Sequence, residues 1–450
     1  MRGEFAHRVC ERGYARTVHD VREGRGPGLL HVVLVTVGTR GDVQPFVALG
    51  KRLTREGHRV TVATHDEYAP LVGGHGLGFR PMGGSFKPIV EGDLGRQWIE
   101  SGDSFLRFLD LSRRVFEPLY ATWARDAHDA VLDADLVLFH ALTRGAVDAA
   151  EKRGVPAIGV GFAPGQPSAE HCLFFPRAPW GWLRRWLGER ALEGMWTVGR
   201  AAYDEHRRSL GLTPFRSRNP WNEMLRAGTH FLYAYSPHIG HVPEEWPASY
   251  HVTGSWTLDT SEAWDPPPEL VDFLASGPPP VYVGFGSMTG RSPEDLARLA
   301  TDAVARAGQR AVLVTGWGGL ARAPRHDGVL VMESVPHEWL FPRCSAVVHH
   351  GGAGTVAAGL AAGKPTVVTA FFGDQPYWGD RVHALGAGPA PIPRRNLDAQ
   401  RLARALGEAV TDERYRRGAE NVAAKLRAED GVGKAVEAIR TVLGGRTPRA

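Results

Sequence analysis

Short apolar runs rich in valine alternate with longer amphipathic segments in both halves of the chain. Runs of β-branched residues predict buried strands, and an apolar residue at every third or fourth position predicts a helix. The predicted strands are residues 30–37, 59–64, 281–287 and 310–315, and the predicted helices between them are residues 46–55 and 294–307. Strand–helix–strand units form parallel sheets covered by helices, so the sequence predicts an α/β protein.

Length and proline clusters indicate more than one domain. At 450 residues the chain is longer than an ordinary single domain. Triple-proline clusters at residues 265–268 and 277–280 bracket the changeover between the two repeats, and they suit either a semi-rigid linker or surface loops. We expect a disordered or locally helical extension, two domains, and a last helix that crosses back to the first domain. The expected boundaries are residues 1–28, 29–258, 259–425 and 426–450.

A glycine-rich turn, His-His-Gly-Gly-Ala-Gly-Thr, occupies residues 349–355. The apolar run 344–348 before it predicts a strand, and the small residues 356–362 after it predict a helix that ends at Gly363 and Pro365. The first N–H groups of a helix are unpaired and carry the positive end of the helix dipole. The turn is therefore a candidate binding site for a phosphate or pyrophosphate.

Four residues of this turn are candidate phosphate ligands. His350 can donate a ring N–H and Thr355 a hydroxyl, while Gly352 and Gly354 let the backbone approach closely. The alternative is a strand-to-helix turn that serves packing alone.

Asp374 and Gln375 follow the next predicted strand, residues 366–372. Both motifs then lie at carboxyl ends of strands, where doubly wound sheets bind ligands. A carboxylate beside a carboxamide offers acceptors and donors that match the vicinal hydroxyls of a hexose. The alternative is an ordinary turn before Pro376.

Residues 335–393, which contain these motifs, resemble the donor-binding signature of the UDP-glycosyltransferase family. The resemblance is greatest to its sterol 3-β-glucosyltransferase branch and to bacterial antibiotic and macrolide glycosyltransferases, and it extends from about residue 29 to the end. It implies a GT-B fold: two Rossmann-like, doubly wound domains that face each other across a cleft. The nucleotide sugar, a UDP- or dTDP-hexose, would be held mainly by the second domain.

Asp42, in the predicted loop 38–45 after the first strand, is the candidate general base. An acceptor hydroxyl must lose its proton as it attacks the anomeric carbon, so a base must lie within hydrogen-bond reach. Asp42 matches in position the catalytic acidic residue of the bacterial and sterol branches. The alternative is that Asp42 caps the following helix.

His140, at the end of the predicted strand 135–139, is a candidate partner of Asp42. Plant members of the family use a histidine base in the first loop and an aspartate near this later strand, and here the two residue types look exchanged. The alternative for His140 is a structural hydrogen bond.

The resemblance implies further contacts to the donor by position. These fall on Thr39, Ser287, Trp317 and Val335. Core packing is the alternative for Trp317. Ala358 stands where plant members have a ribose-binding glutamate, so the sequence leaves UDP and dTDP open.

The implied reaction is a single displacement with inversion, without a metal ion or other cofactor. The sequence shows no cluster of metal ligands, and Cys10, Cys172 and Cys344 are far apart. An odd number of cysteines argues against a disulfide framework and favours a reducing cytoplasm.

Charge and hydropathy exclude several classes. The net charge of +4 is small, and basic and acidic residues are interspersed, which argues against a nucleic-acid-binding protein. No run reaches the ~18 apolar residues of a membrane span. Residues 1–28 lack the apolar core of a signal peptide.

Residues 172–200 interleave aromatic and aliphatic residues with arginine. This pattern suits an apolar acceptor pocket or peripheral contact with a membrane surface, and both favour a lipophilic acceptor such as a sterol, terpenoid or polyketide aglycone. The alternative is a helix packed on the core.

Two other classes share parts of the pattern. A nucleotide-sugar epimerase would share the architecture and the phosphate turn, but would leave residues 172–200 unexplained. A non-catalytic lipid-binding relative would need neither Asp42 nor the Asp374-Gln375 pair. An NAD-dependent oxidoreductase is disfavoured because residues 284–290 miss the Gly-x-Gly-x-x-Gly spacing.

Overall fold

The computed structural model describes residues 29–175, 178–258, 264–286, 293–316 and 328–444. The chain forms two parallel sheets, one of seven strands and one of six. Their strand orders are β3-β2-β1-β4-β5-β6-β7 and β10-β9-β8-β11-β12-β13. In both sheets the order reverses direction beside the first strand, which is the doubly wound arrangement that the sequence predicts.

The strands of the first sheet are short, and two inner strands, His31–Val35 and Leu136–His140, are buried over nearly their whole length. They are β1 (His31–Val35), β2 (Arg59–Thr64), β3 (Gly78–Pro81), β4 (Leu136–His140), β5 (Ala157–Gly161), β6 (His230–Tyr233) and β7 (Tyr250–Val252). The second sheet comprises β8 (Val281–Gly284), β9 (Ala311–Val314), β10 (Val329–Met332), β11 (Val347–His349), β12 (Thr366–Ala370) and β13 (Ile392–Pro393). The valine-rich runs thus become strands because helices cover both faces of each sheet.

Helices connect the strands. Those of the first half are α1 (Arg40–Arg55), α2 (Ala69–Gly74), α3 (Phe86–Glu91), α4 (Asp93–Glu100), α5 (Phe105–Ala130), α6 (Gly145–Arg153), α7 (Gly181–Ser209) and α8 (Pro220–Arg226). Those of the second half are α9 (Pro268–Ala275), α10 (Pro293–Arg306), α11 (His337–Leu340), α12 (Ala353–Ala361), α13 (Gln375–Ala384), α14 (Ala399–Thr411), α15 (Glu413–Arg427) and α16 (Gly431–Leu443). Short 3₁₀ turns occur at Asp66–Tyr68, Ser101–Asp103, Phe341–Arg343 and Arg394–Asn396.

Two helices begin several residues earlier than the sequence predicts, and a third, α13, is not predicted. Helix α1 begins at Arg40 and includes Pro45, so the predicted loop 38–45 is largely helical. Helix α12 begins at Ala353 within the glycine-rich turn. Asp374 and Gln375 cap and begin α13, because a proline in the first turn lacks only an N–H that would be unpaired there.

Helix α16 lies against the first half of the chain. Arg440 forms an ion pair with Glu56 at the end of α1 (2.7 Å). Gly431 packs so closely on the backbone of Gly254 and Ser255 that a Cβ at this position would overlap it. The apolar face of α16 joins the core on the α1 side of the first sheet. The last helix therefore belongs to the packing of the N-terminal sheet.

Candidate active site

The predicted site residues lie at the carboxyl ends of neighbouring strands. Asp42 follows β1 and His140 ends β4, and these strands are adjacent in the first sheet. His350 follows β11 and Asp374 follows β12, which are adjacent in the second sheet. The strand order thus brings each pair to the edge where doubly wound sheets bind ligands.

Asp42 lies in the first turn of α1. Its carboxylate accepts hydrogen bonds from the Thr39 N–H (2.7 Å) and from the Thr39 hydroxyl (3.0 Å). Thr39 is the N-cap residue and Asp42 the third helical residue, so Asp42 is not the N-cap, but its carboxylate helps to cap α1 through a capping box with Thr39. At Gly38, where φ is +133°, an added Cβ would overlap the Asp42 carboxylate. Only glycine therefore permits this close approach.

Thr39 has a partner that the sequence does not predict. The Thr39 hydroxyl donates a hydrogen bond to Asp42, so it cannot also donate to a phosphate oxygen while that bond persists. The turn is also held by the Thr36 hydroxyl, which donates to the Asp42 carbonyl (3.0 Å), and by the Tyr68 hydroxyl, which donates to the Gly38 carbonyl (3.3 Å). The carboxylate of Asp42 is thus fixed before any ligand binds.

His140 lies beside Asp42 at the end of β4. Its ring stacks on Phe162 with the centroids 5.5 Å apart. Its Nδ1 is buried and has no hydrogen-bond partner among the described residues. Burial lowers the pKa of His140, and the charge of Asp42 opposes this shift. The ring is therefore neutral near pH 7 and can exchange a proton with a ligand.

The two histidines of the glycine-rich turn differ in their surroundings. The Nδ1 of the fully buried His349 accepts a hydrogen bond from the Gly351 N–H (3.0 Å). The Nδ1 of His350 has no such partner within the described part of the chain. Burial lowers the pKa of His350 to about 4, so its neutral ring carries a single N–H. His349 shapes the turn through Nδ1, while its Nε2 and the Nδ1 of His350 are both buried without a partner among the described residues.

The glycines of the turn have different steric roles. A Cβ at Gly352 would lie 2.6 Å from Nε2 of His350, so this position has no room for a side chain. Gly351 has φ +92° and packs against Val368. Gly354, in the first turn of α12, faces open space, and Thr355 follows it. The free N–H groups of α12 therefore face a gap next to His350.

Gln375 holds the end of β12. Its Oε1 accepts hydrogen bonds from the N–H groups of Phe371 (2.8 Å) and Phe372 (3.2 Å), and the residue is 5% exposed. The carbonyl oxygen of the Gln375 carboxamide accepts both of these hydrogen bonds. This carboxamide therefore maintains the backbone that carries Asp374.

Asp374 is partly exposed at the N-cap of α13. Its Oδ2 accepts a hydrogen bond from the Trp378 indole N–H (2.7 Å). Burial and, to a smaller extent, the negative charge of Asp42 raise the pKa of Asp374 to about 6, against the Trp378 hydrogen bond, which lowers it. Asp42 lies at the start of α1 and Asp374 at the start of α13, and their charges influence each other across the two halves.

Several residues at this cleft are not predicted from the sequence. Trp378 is one, although the i, i+4 spacing from Asp374 would reveal it once α13 is known to be helical. His337 is another: its Nε2 lies 3.2 Å from the Tyr282 hydroxyl, and burial, with smaller effects from Arg40 and His350, lowers its pKa to about 4. The positive charge of Arg40 on α1 therefore acts on His337 in the second half.

Direct contacts join α13 and its preceding loop to the first half of the chain. The His241 N–H donates to the Tyr377 hydroxyl (2.7 Å), and Arg381 donates to the Ile239 carbonyl (2.8 Å). The Phe372 ring lies 4.7 Å from Trp98 between centroids. The segment that carries Asp374 is therefore held by both halves.

The structure describes only some of the remaining residues at predicted donor-binding positions. Val335 is buried in the core of the second half, so its side chain packs there. Ala358 packs against the same core from α12. Ser287 and Trp317 lie outside the described residues. Their roles stay predictions from the resemblance.

The described residues contain no group of three or more histidine, cysteine, aspartate or glutamate side chains arranged to hold a metal ion. Cys172 and Cys344 are both buried and unpaired. None of the described helices combines the length and apolar composition that a membrane crossing requires.

Profiles of two known domains match the chain. The glycosyltransferase family 28 N-terminal domain matches residues 32–160. The C-terminal domain of the erythromycin biosynthesis protein CIII-like family matches residues 318–439. The two matched ranges contain Asp42 and His350 respectively.

The chain is similar to known sterol 3-beta-glucosyltransferases. Two of these from Arabidopsis thaliana are 36% and 34% identical to it over 91% and 93% of its length. One from Cryptococcus neoformans is 32% identical over 92% of the chain. The chain spans 65% and 69% of the plant proteins and 27% of the fungal one.

Solved glycosyltransferase structures share the fold. The glycosyltransferase of kitacinnamycin has a TM-score of 0.67 at 21% identity, covering 93% of this chain and 100% of that one. A glycosyltransferase crystallised with dTDP, VinC, has a TM-score of 0.63 at 22% identity, covering 92% of this chain and 100% of that one. Together with the identity to the plant proteins, these matches show that the chain has the GT-B fold and belongs to the glycosyltransferase family that includes the sterol 3-beta-glucosyltransferases.

Proposed function

We propose that this chain transfers a hexose from a nucleoside-diphosphate sugar to a hydroxyl of a lipophilic acceptor, with inversion at the anomeric carbon and without a metal ion. The observation that carries the proposal is the position of three groups around one cleft. Asp42 lies at the start of α1, Asp374 caps α13 where direct contacts join the two halves, and Nδ1 of His350, beside the start of α12, has no described partner. A base, a sugar-binding carboxylate and a phosphate site are what such a transfer requires.

Asp42 would act as the general base. The acceptor oxygen would attack the anomeric carbon as its proton passes to the Asp42 carboxylate, and the bond from that carbon to the diphosphate oxygen would break. A positioned base contributes about 10²- to 10⁴-fold to such a step. The two hydrogen bonds from Thr39 fix one carboxylate oxygen, Oδ2, and leave Oδ1 to accept the proton. His140 would share the proton because its unpartnered ring lies beside this carboxylate.

The leaving diphosphate would be stabilised by fixed hydrogen-bond donors. These would be the neutral His350 ring, the first N–H groups of α12 and the Thr355 hydroxyl, with Arg40 adding positive charge from the opposite side. Preorganised donors of this kind are typically worth about 10²- to 10³-fold each in rate. With this set of donors the proposed transfer does not depend on a divalent cation.

Asp374 would bind the hydroxyls of the hexose. Its partly exposed carboxylate is oriented by Trp378 at the carboxyl end of β12, which is where a sugar attached to a diphosphate on α12 would extend. The donor we propose is UDP-glucose, because the similar plant and fungal proteins are named glucosyltransferases. A dTDP-sugar is the competing donor, since the related VinC structure contains dTDP. Ala358 has no carboxylate that could bind the ribose, so this position does not distinguish a UDP-sugar from a dTDP-sugar.

An acceptor screen tests the proposal. UDP-glucose and dTDP-glucose are each paired with cholesterol, ergosterol and a macrolide aglycone, and the release of nucleoside diphosphate is followed with and without a chelator. Acceptor-dependent release that is insensitive to the chelator, with a β-linked product by NMR from the α-linked donor, is expected. A product with retained configuration would contradict the inverting mechanism, and no acceptor-dependent release from any pair would contradict the transferase.

A further inference from the structure

The 3₁₀ turn after α4 touches the segment that precedes Asp374. Gly102 of this turn packs so closely on that segment that an added Cβ would lie 2.5 Å from the Phe371 carbonyl oxygen and 2.8 Å from Cβ of Phe372. The Trp98 ring of α4 lies 4.7 Å from that of Phe372 between centroids. The first half of the chain therefore meets the backbone before Asp374 with no side chain at Gly102 between them.

An ion pair lies beside this contact. Arg394 donates to Oε1 of Glu100 at the end of α4 (2.5 Å), and the two side chains are 19% and 33% exposed. Ala370 pairs with Pro393 in the register of β12 and β13, so Phe371 and Arg394 come next at this edge of the sheet. The Arg394 Nε is buried and has no partner among the described residues, so this cation depends strongly on Glu100. We call Glu100, Gly102 and Arg394 the clasp.

The first-half side of the clasp is fixed in the core. The Trp98 indole N–H donates to the Ser112 hydroxyl of α5 (2.8 Å), and the Trp98 ring stacks on Phe108 with centroids 5.6 Å apart. The Ser101 hydroxyl donates to the Trp98 carbonyl (2.7 Å), which ties the 3₁₀ turn to α4. Glu100 lies between Trp98 and Ser101, so it is carried by a segment that the first half holds in place.

The second-half side of the clasp leads to Asp374. Gln375 accepts hydrogen bonds from the N–H groups of Phe371 and Phe372, whereas Gly102 lies against the Phe371 carbonyl. The two-residue segment is therefore held between Gln375 and the clasp. A shift of this segment would move Asp374, which lies between Phe372 and Gln375 in the chain.

We propose that the clasp positions Asp374: it holds the first half against the preceding segment and so completes the sugar-binding part of the donor site. The proposal rests on the proposed function, because it requires that Asp374 binds the hexose. The phosphate turn follows β11, and β12 separates that strand from β13, which Arg394 follows. The clasp should therefore affect the binding of the hexose and not that of the diphosphate.

Exchange of the two charges tests the proposal. Glu100→Arg and Arg394→Glu each place like charges together, and each should weaken UDP-glucose binding by roughly fivefold or more, since a close ion pair contributes about that factor. The variant with both changes should recover most of the affinity. The affinity for UDP, which lacks the hexose, should be unchanged in all three variants. Calorimetric titration measures these affinities, and the donor KM should rise in the single variants without a matching fall in kcat.

A second ion pair supplies the matched control for the charges. Glu56 and Arg440 also join distant parts of the chain (2.7 Å), but they connect α16 to the end of α1. Glu56→Arg, Arg440→Glu and the variant with both changes should leave UDP-glucose binding unchanged.

Gly102→Ala tests the backbone contact of the clasp. Its methyl group must displace the turn or the Phe371 carbonyl, so UDP-glucose binding should weaken while UDP binding is kept. Gly73→Ala in α2 is the control, because an added Cβ there meets nothing within 4 Å. It should leave both affinities unchanged.

Three results would overturn the proposal. The first is unchanged UDP-glucose affinity in Glu100→Arg and Gly102→Ala. The second is a loss of affinity that the variant with exchanged charges does not recover. The third is an equal loss for UDP and UDP-glucose, because damage that extends to the diphosphate site does not act through Asp374. If the parent chain binds dTDP-glucose instead, the comparison is made with dTDP-glucose and dTDP.

Asp374→Asn separates this proposal from the proposed function. If this variant binds UDP-glucose like the parent chain, or if the parent binds neither donor, the sugar-binding role of Asp374 is contradicted. The thermal midpoints then decide whether the clasp joins the two halves. They should fall in Glu100→Arg and Arg394→Glu and recover when both changes are combined, and midpoints that do not fall in the single variants would remove the clasp as well.

Discussion

The indole N–H of Trp378 donates a hydrogen bond of 2.7 Å to Oδ2 of Asp374, one turn earlier at the start of α13. Trp378 is 1% exposed, and its ring also packs edge-on against Tyr235 of the first half, with centroids 5.7 Å apart. The orientation of the Asp374 carboxylate, the proposed sugar ligand, therefore depends on a side chain that both halves of the molecule hold in place.

Trp378→Phe should raise the donor KM about tenfold with a smaller effect on kcat. The phenylalanine keeps an aromatic ring but removes the hydrogen bond, which is worth about 1.5–3 kcal/mol when its acceptor is charged. Because this bond opposes the rise in the pKa of Asp374, its loss should also move the acid limb of the donor-binding profile to higher pH. Steady-state kinetics between pH 5 and pH 8 measure both effects. A variant with reduced thermal stability but an unchanged profile would indicate a packing role alone.

Asp374→Asn should stabilise the protein above pH 6 and have little effect below pH 4. The folded-state pKa of Asp374, about 6, is above its ordinary value of 3.8. The wild-type side chain therefore loses stability relative to a neutral one as pH rises through this window. We expect a gain of up to about 2 kcal/mol near pH 8, since partial exposure reduces the cost of the buried charge. Thermal melting across this pH range measures the gain, and donor binding should weaken in the same variant. A stability difference that does not change with pH would contradict the assignment.

Asp42→Asn should lower kcat by about 10²- to 10⁴-fold and leave the affinity for the donor nearly unchanged. The carboxamide oxygen still accepts the two bonds from Thr39, so the first turn of α1 should keep its structure. Turnover and donor titration by calorimetry measure the two quantities. Loss of donor binding along with turnover would assign Asp42 a structural role. Asp66→Asn, in the 3₁₀ turn after β2, is a control that should leave turnover unchanged.

Gly354→Ala and Gly352→Ala should impair donor binding for different reasons. At Gly354 a methyl group meets nothing within 4 Å, so the alanine should stabilise the first turn of α12 by about 0.5–1 kcal/mol and still block a phosphate. At Gly352 the methyl group would lie 2.6 Å from His350, so it should displace the ring and destabilise the protein. Melting and donor titration of both variants separate the effects. Normal donor affinity in Gly354→Ala would contradict a phosphate site at this helix end.

His140→Ala should reduce kcat by about tenfold or more if the ring shares the acceptor proton with Asp42. Its unpartnered Nδ1 makes no described hydrogen bond that the substitution would break, although the ring does stack on Phe162. His140→Phe is the matched variant, since it keeps the stacking and removes the proton carrier. Full turnover in both variants would remove His140 from the mechanism.

The order of elements was largely predictable from local sequence. Residues 59–64 form the predicted strand, and the strands predicted around residues 30–37, 281–287 and 310–315 form with shorter ends. Valine-rich runs that are buried on both faces have few alternatives to a central parallel strand. Helix starts were less predictable, because Pro376 lies in the first turn of α13, where its missing N–H costs little, and because α1 continues through Pro45 inside the helix.

The sequence by itself determined the two α/β repeats, the glycine-rich turn and the acidic residues that follow strands, because these depend on local backbone preferences and on burial. Only the tertiary structure decided how the side chains divide their roles. In the structure, His349 and Gln375 accept hydrogen bonds from backbone N–H groups, and Nδ1 of His350 has no described partner. Trp378 donates a hydrogen bond to Asp374, and the charge of Arg40 acts on His337 across the two halves. Such roles depend on which side chains meet across strands and between the two halves. These side chains are far apart in the sequence, so local sequence patterns do not reveal their contacts.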